Sequence, residues 1–389
     1  MSAFRVGLQR ELTHLRHDKG DLFLTVGMMP LLFALIWWIF SAGQPTGLPV
    51  ALIDEDNTST SRQISRLIEA TPGVDLNRDY INAKSALDAI RTREVFALLV
   101  IPKGLESDVL GGKPGQLVLQ LNSQYSTYSS TIQRNITSAV LTAGVGIGIE
   151  RLKMGGAFQD AAIGVAMPVS VNALPLFNEG PDYEVFLGAT LIAALFHILA
   201  IIMSVTAVGR ELRDGTASEW LAASNGSLTT ALLSKILPYF IALNLYTFVF
   251  VAFFQIAAPD SYQGNVLGTW LTMVVMTVAA MAVGILVVAL TKNFRMALSV
   301  GGFYSAPAFA YSGQAFPLIA MPEPAQYWAS ILPLTHWLQL YNQMWIAGAP
   351  LVEAYRPFLV IGLMTVLAIV PAYVLLKRNA FEPANWGSR

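Results

Sequence analysis

The chain has 389 residues, of which 54% are hydrophobic and only 13% charged, and its formal net charge is −1. With a mean hydropathy of +0.53, it reads as an integral membrane protein, since soluble domains carry about 25% charged residues. The lack of a basic excess excludes a nucleic-acid partner, and the lack of cysteine excludes disulfides, thiol nucleophiles and thiolate metal sites.

A bilayer core takes about 20 apolar residues at 1.5 Å each. Residues 1–21 come first, an amphipathic segment bearing Arg5, Arg10, Arg16 and Lys19. The first span follows at 22–40, LFLTVGMMPLLFALIWWIF. It is too long for a cleaved secretory signal and lacks the small-residue cleavage site.

Residues 43–183 carry soluble-protein patterning. PVALID reads as a buried strand. Thr60 with Gln63 fits a capping box ahead of the stripe Ile64, Leu67 and Ile68. Asn82 is placed to cap a second helix containing Leu87 and Ile90. VFALLVI is an apolar run of strand length, the turn GGKPG follows, and QLVLQL forms the next strand. A long helix is expected over 126–153. Strand, helix, helix, strand, strand, long helix makes a small α/β domain. The acidic run Asp54, Glu55, Asp56 after the first strand reads as a cation site or, more simply, as a turn that caps the next helix. Residues 155–180 show no clear period, which leaves a helix along the membrane or an irregular return path.

Five further spans are expected at 185–209, 232–257, 268–290, 297–318 and 357–376, with a tail at 377–389. Lys and Arg mark the cytoplasmic side. Every basic cluster (the N-terminal segment, Arg210 with Arg213, Lys292 with Arg295, Lys377 with Arg378) falls on one side if both termini are cytoplasmic, and the short loop AAPDSYQGN has neither residue. Six spans require the same arrangement, so the domain at 43–183 is expected outside the cell membrane.

No GxxxxGK[ST] loop occurs, so the chain is not expected to hydrolyse ATP. None of His14, His17, His197 and His336 has a partner at metal-ligand spacing, and no metal is expected. No span has a mid-membrane carboxylate, which argues against an ion-driven carrier. His197 reads as packed between helices, and Lys235 as snorkelling to the cytoplasmic face.

Between spans two and three runs GRELRDGTASEWLAAS, residues 209–224. Thr216 with Glu219 fits a capping box, Gly215 allows a sharp turn, and Ala217, Trp220 and Leu221 share one face. The expectation is a short surface helix, apolar side toward lipid or span ends, with Arg210, Glu211, Arg213 and Asp214 facing the cytosol or one another. It is either a well-capped connector or a lever for a cytoplasmic partner.

RELRDGTASEWL resembles the RE-x-x-x-GT-x-E-x-L element of ABC-2 permeases, the membrane subunits of ATP-binding-cassette exporters; Arg210, Glu211, Gly215, Thr216, Glu219 and Leu221 match. SGQAFPLIAMP is similar to that family's SG-x-x-x-P-x-x-x-MP segment through Gly313, Pro317, Met321 and Pro322. LPLTHWLQL resembles its P-x-TH element through Pro333, Thr335 and His336. DEDNTSTSRQI and ALLVIPKGLESDVLGGKPGQL resemble the extracytoplasmic domain of the drug-exporter-like branch. The chain departs from that pattern at LNSQYS, at FNEGPDY and at Ser224-Asn225.

The resemblance implies a six-span permease in the bacterial inner membrane, with the α/β domain inserted between helices 1 and 2. Coupling to an ATPase would fall on Arg210, Glu211, Gly215, Thr216, Glu219, Trp220 and Leu221. A pathway or gate would fall on Gly313, Pro317, Met321, Pro322, Pro333, Thr335 and His336 in a re-entrant region at about 311–345, where broken helix requires burial or a lined cavity. Tyr327, Trp328, Trp337, Tyr341 and Trp345 would form an interfacial belt. It also implies a cytoplasmic ATPase carrying ATP and Mg, a second identical or paralogous permease subunit, a periplasmic adaptor, and a drug-like or amphiphilic cargo. The alternative is a membrane-anchored sensor or assembly factor whose outer domain is the working part.

Overall fold

The computed structural model describes residues 2–111, 113–154 and 182–379. The expected return path at 155–180 lies outside the described residues. Contacts divide the chain into two compact units, Gln44–Leu174 and Met1–Gly43 with Pro175–Arg389.

The second of these begins with α1, Ala3–His17, and α2, Lys19–Phe40. The smaller unit then runs β1 (Leu48–Asp54), α3 (Ser59–Glu69), β2 (Val74–Asn77), α4 (Ala83–Thr92), β3 (Ala97–Ile101), α5 (Leu105–Leu110), β4 (Val118–Leu121) and α6 (Ser126–Met154). Its sheet has the order β2-β1-β3-β4, with β2, β1 and β3 parallel and β4 antiparallel at the edge. Val50, Leu52 and Leu99 pack beneath Ile64 and Ile68 of α3 and Ile132 and Ile136 of α6. Ala51, Ile53 and Leu98 pack on Ala86 and Ala89 of α4. Burial on both faces explains why β1 and β3 read as continuous apolar runs without alternation.

Two elements escape sequence reading: β2, where only Val74 and Leu76 are apolar, and the short α5. The first capping box is also displaced. Thr58, not Thr60, caps α3, accepting from the Ser61 amide while the Ser61 hydroxyl accepts from the Thr58 amide. Thr60 instead donates its amide and hydroxyl to Glu106, 3.1 and 2.9 Å away. The acidic run is consumed by local donors. Asp54 accepts from the Asp56 and Asn57 amides and the Ser61 hydroxyl, and Asp56 from the Gly104 and Glu106 amides. Burial pushes the Asp56 carboxyl up, but the Thr58 hydroxyl and these amides outweigh it and hold the carboxyl below its ordinary value.

The larger unit continues with α7 (Glu184–Arg213), α8 (Ala217–Ala223), α9 (Leu228–Ala257) and α10 (Val266–Thr291). It then runs α11 (Phe294–Ser305), α12 (Ala308–Tyr311), α13 (Glu323–Ser330), α14 (Pro333–Leu340) and α15 (Tyr355–Asn379). Among the described residues, five helices are long and apolar enough to cross a membrane: α2, α7, α9, α10 and the greater part of α15. The chain is therefore a multi-pass helical membrane protein. The single span expected at 297–318 is not one helix. It breaks at Ala306–Pro307, resumes as α12, and leaves helical geometry at Ser312–Pro317, where Gly313 has φ +87°. Proline removes a donor and restricts the residue before it, and a left-handed glycine ends the run.

Helix α10 packs on α7 and α15. Trp337, Tyr341 and Trp345 are not a lipid-facing belt but core: Trp345 donates to Gln255, Trp337 to Thr272, and the Tyr341 hydroxyl to the Val185 carbonyl at 2.6 Å. Tyr327 does face outward, at 70% exposed.

Candidate functional site

The RE…GT element is built from the end of α7. Gly215 adopts φ +70° with open space around it. The Thr216 amide donates to the Glu211 carbonyl at 3.0 Å and the Gly215 amide to that of Leu212 at 3.3 Å. This pair of bonds closes the helix as a Schellman motif, so the glycine is required for its left-handed backbone. The expected capping box at Thr216 and Glu219 does not form. Thr216 makes no side-chain cap bond; its hydroxyl donates to Glu211 Oε2 at 2.6 Å, and Glu219 lies on the exposed face of α8. A charged acceptor competes more strongly for the hydroxyl than a backbone amide does for its lone pair.

Arg210 and Glu211 do not face the cytosol. Their side chains are 3% and 2% exposed, and those of Glu11 and Lys235 are 2% and 1%. Arg10 grips Glu211 with two parallel bonds of 2.7 and 2.9 Å. Lys235 Nζ reaches Glu11 at 2.7 Å and Glu211 at 2.6 Å. Arg210 pairs with Glu11 and Asp21. The Tyr239 hydroxyl donates to Glu11 at 2.6 Å and accepts from Arg210 at 3.2 Å. Three cations thus meet three carboxylates, drawn from α1, α2, α7 and α9. Balanced charge and near-complete hydrogen bonding are what make such burial tolerable. Burial pushes the Glu11 carboxyl up, but Lys235 and Arg210 outweigh it and hold it below the usual carboxylate range. Lys235 therefore does not snorkel; it closes the cluster. Arg213 and Asp214 pair with each other at 2.7 Å, as neighbours in sequence.

Trp220 fixes α8 to α9. Its ring nitrogen donates to the Ala231 carbonyl at 3.1 Å, and Lys235 sits 5.7 Å over the ring. Ala217, Trp220 and Leu221 face inward, and Ser218, Glu219 and Ala222 outward. Helix α1 lies close on α9 because Gly7 has no side chain; a Cβ there would stand 2.4 Å from Ser234 Oγ. His14, Asp18 and Asp21 gather their ligand atoms within 4.8 Å. Asp21 already pairs with Arg210 and His14, and Asp18 caps α2.

The second residue set lies at the other end of α7. Gln314, in the turn after Gly313, donates to the Phe186 carbonyl at 3.1 Å. Phe186 precedes Glu211 by about 37 Å of helix at 1.5 Å per residue. Met321 and Pro333 are buried, Pro317 and Pro322 exposed, and His336 bonds the Ser330 carbonyl at 2.9 Å. Among the described residues, the buried Thr335 hydroxyl has no partner, nor do the ring nitrogens of His197, which packs 6.3 Å from the Tyr304 ring. The structure brings together Arg210, Glu211, Gly215, Thr216, Trp220 and Leu221, and separates them from Gly313 and its group. Sequence reading misses Arg10, Glu11, Asp21 and Tyr239. The available signal was Glu11 with Gly7 and Leu15 at i, i+4, i+8, a charged residue in line with a small and an apolar one.

A multi-pass helical membrane protein with a buried ion cluster behind a short helix at one end of its spans is the class these observations define. Residues 19–374 match the ABC-2 family transporter proteins, and the chain belongs to that family. It is similar to the probable multidrug ABC transporter permease YbhR of Escherichia coli, in strain K12 and in O157:H7, at 25% identity over 206 residues. Each alignment covers 52% of this chain and 55% of the relative, so the chain spans about half the length of the curated relatives it matches.

Proposed function

We propose that the chain is the membrane half of an ATP-driven exporter of drug-like or amphiphilic compounds, taking them from the cytoplasm or inner leaflet. The carrying observation is the buried cluster that ties Arg210 and Glu211 to α1 and α9 directly behind α8. A push on the outward residues of α8 would pass through this rigid knot to the spans α2, α7 and α9 at once. ATP and Mg would sit on the cytoplasmic partner, a second identical or paralogous permease would complete the pathway, and a periplasmic adaptor would extend it. The name of the Escherichia coli relative supports the drug-like cargo.

Uphill movement needs a differential interaction supplied somewhere. Reconstituted alone, the chain is expected to accumulate nothing under a gradient of about two pH units, worth about 2.7 kcal/mol per proton. It is expected to transport when its ATPase and ATP are added. Uptake driven by the proton gradient alone would overturn the reading and make the protein a secondary carrier.

In the same proposal both termini are cytoplasmic, in the bacterial inner membrane, and the α/β unit lies outside. Among the described residues, five long helices give odd parity. Helices α11 and α12, of 12 and 4 residues, together make about 24 Å of helix on either side of the break, and supply the sixth crossing. Cysteines introduced at Gln63 and at the exposed Asp260 should label in intact cells, and one at Asp214 only after permeabilisation. External labelling at position 214 would sink this topology.

A further inference from the structure

Helix α1 has a second face, away from the ion cluster. Gly7, Glu11 and Leu15, at i, i+4 and i+8, form its buried side. Arg5, Leu12 and Arg16, at i, i+7 and i+11, share the other side and are exposed. Lys19 is exposed at the start of α2, and the exposed Leu22, Phe23 and Val26 follow it at i+3, i+4 and i+7. A membrane span thus opens on a cation that heads its own exposed apolar stripe. The depth of α1 is set by α9. Gly7 packs on Ser234, and Lys235 and Tyr239 donate to Glu11. These contacts fall about 9–17 Å along α9 from Leu228, at 1.5 Å per residue. Helix α9 has 30 residues, about 45 Å, against about 30 Å of hydrocarbon. The surplus length places α1 beside the edge of the hydrocarbon, at the level of the headgroups.

No acid balances the cations on this face. Glu11 is the single acid of α1, and it is buried among Arg210, Lys235 and Tyr239. Asp18 accepts from the Gly20 and Asp21 amides, and Asp21 is held by Arg210 and His14. Among the described residues, Arg5, Arg16 and Lys19 form no ion pair, whereas Arg10, Arg210 and Lys235 all do. The same short stretch of chain therefore sorts its cations into two sets, one neutralised inside the fold and one left outward at the membrane edge.

We propose that the outward face of α1 and the head of α2 bind anionic phospholipid. Phosphate groups would meet Arg5, Arg16 and Lys19, and acyl chains would lie along Leu12, Leu22 and Phe23. Charge complementarity selects the anionic headgroup. A second copy of this face is a poor occupant, because a self-complementary contact would set like charges together. Lipid is favoured over an acidic protein because the cations alternate with exposed apolar side chains and lead straight into a span, the pattern of a helix lying in the interface. Bound lipid would grip the helix whose opposite side carries Glu11 into the ion cluster. The binding does not depend on the transport reading.

The probe is phosphatidylglycerol carrying a photoreactive diazirine near the head of one acyl chain, present in trace amount in phosphatidylcholine vesicles that hold the full chain. Crosslinks are expected on peptides covering 5–26. Unlabelled phosphatidylglycerol should compete, and added salt should weaken the labelling by screening. Arg5→Gln, Arg16→Gln and Lys19→Gln combined should lower it about tenfold, to the level of a matched phosphatidylcholine probe, since one charge near an anionic surface is worth about fivefold before screening. All three side chains are exposed, so the protein should fold in normal amounts. Arg78→Gln makes the same change of charge as one of these substitutions at an exposed site of the α/β unit, and should leave labelling unchanged. Equal labelling by the two probes, or undiminished labelling in the triple variant, would mean ordinary surrounding lipid and overturn the proposal. So would a triple variant that keeps its labelling but no longer binds the ATPase, which would give the face to an acidic protein. Labelling needs no ATPase, so failed transport and a failed lipid site remain distinguishable.

Discussion

Glu11→Ala is expected to cost about 3–5 kcal/mol, the usual result of deleting one partner from a buried ion pair. Glu11 accepts from Arg210, Lys235 and Tyr239 at once. Its removal leaves Lys235, on a side chain 1% exposed, with Glu211 as its single carboxylate. Arg210 keeps Asp21. The expected readout is a large drop in thermal stability of the detergent-solubilised protein, together with new proteolysis in α1. Charge balance gives the internal control. Glu11→Gln with Lys235→Met removes one charge of each sign and should recover most of the loss, because two cations and two carboxylates remain. Equal instability in the double variant would show that the side chains matter for shape and that the ion cluster is not the origin of the effect.

Glu211→Ala is expected to act on transport more than on folding. The carboxylate joins Arg10, Lys235 and the Thr216 hydroxyl, and so links the turn before α8 to α1 and α9. Arg10 is 30% exposed and hydrates when released, and Lys235 keeps Glu11. The protein should insert and bind its ATPase, yet substrate moved per ATP hydrolysed should fall about tenfold or more. Gly215→Pro should be as severe, since proline fixes φ near −65° where the chain needs +70°. Thr216→Ala removes one charge-assisted bond, worth about 1.5–3 kcal/mol, and should give a milder defect. Full transport in Glu211→Ala at normal expression would reduce the RE…GT element to a connector.

Much of this was legible in the sequence. The long apolar helices, the two buried parallel strands and the glycine-terminated turn at 215 follow from composition and local backbone chemistry. Each depends on preferences that a residue carries with it. Errors came where a side chain had a choice of partners. Thr216 and Glu219 satisfied the capping pattern, but Thr216 found a stronger acceptor in Glu211. The segment expected as one span at 297–318 differs for a backbone reason: Pro307 interrupts the helix and Gly313 ends it. Trp337, Tyr341 and Trp345 had interfacial character and were taken into the core by hydrogen bonds to Thr272, Val185 and Gln255.

The sequence by itself determined that this is a helical membrane protein, where its apolar segments lie, and which element resembles the coupling region of its family. Only the tertiary structure decided that Arg210 and Glu211 of this element are buried, and which residues hold them. Hydropathy records what each side chain prefers alone, and by that measure Arg10, Glu11, Arg210, Glu211 and Lys235 all belong in water. Their burial depends on one another. Arg10 and Glu211 stand 201 residues apart, and Lys235 and Glu11 stand 224 apart. Neither side chain has reason to leave water until the fold delivers the other.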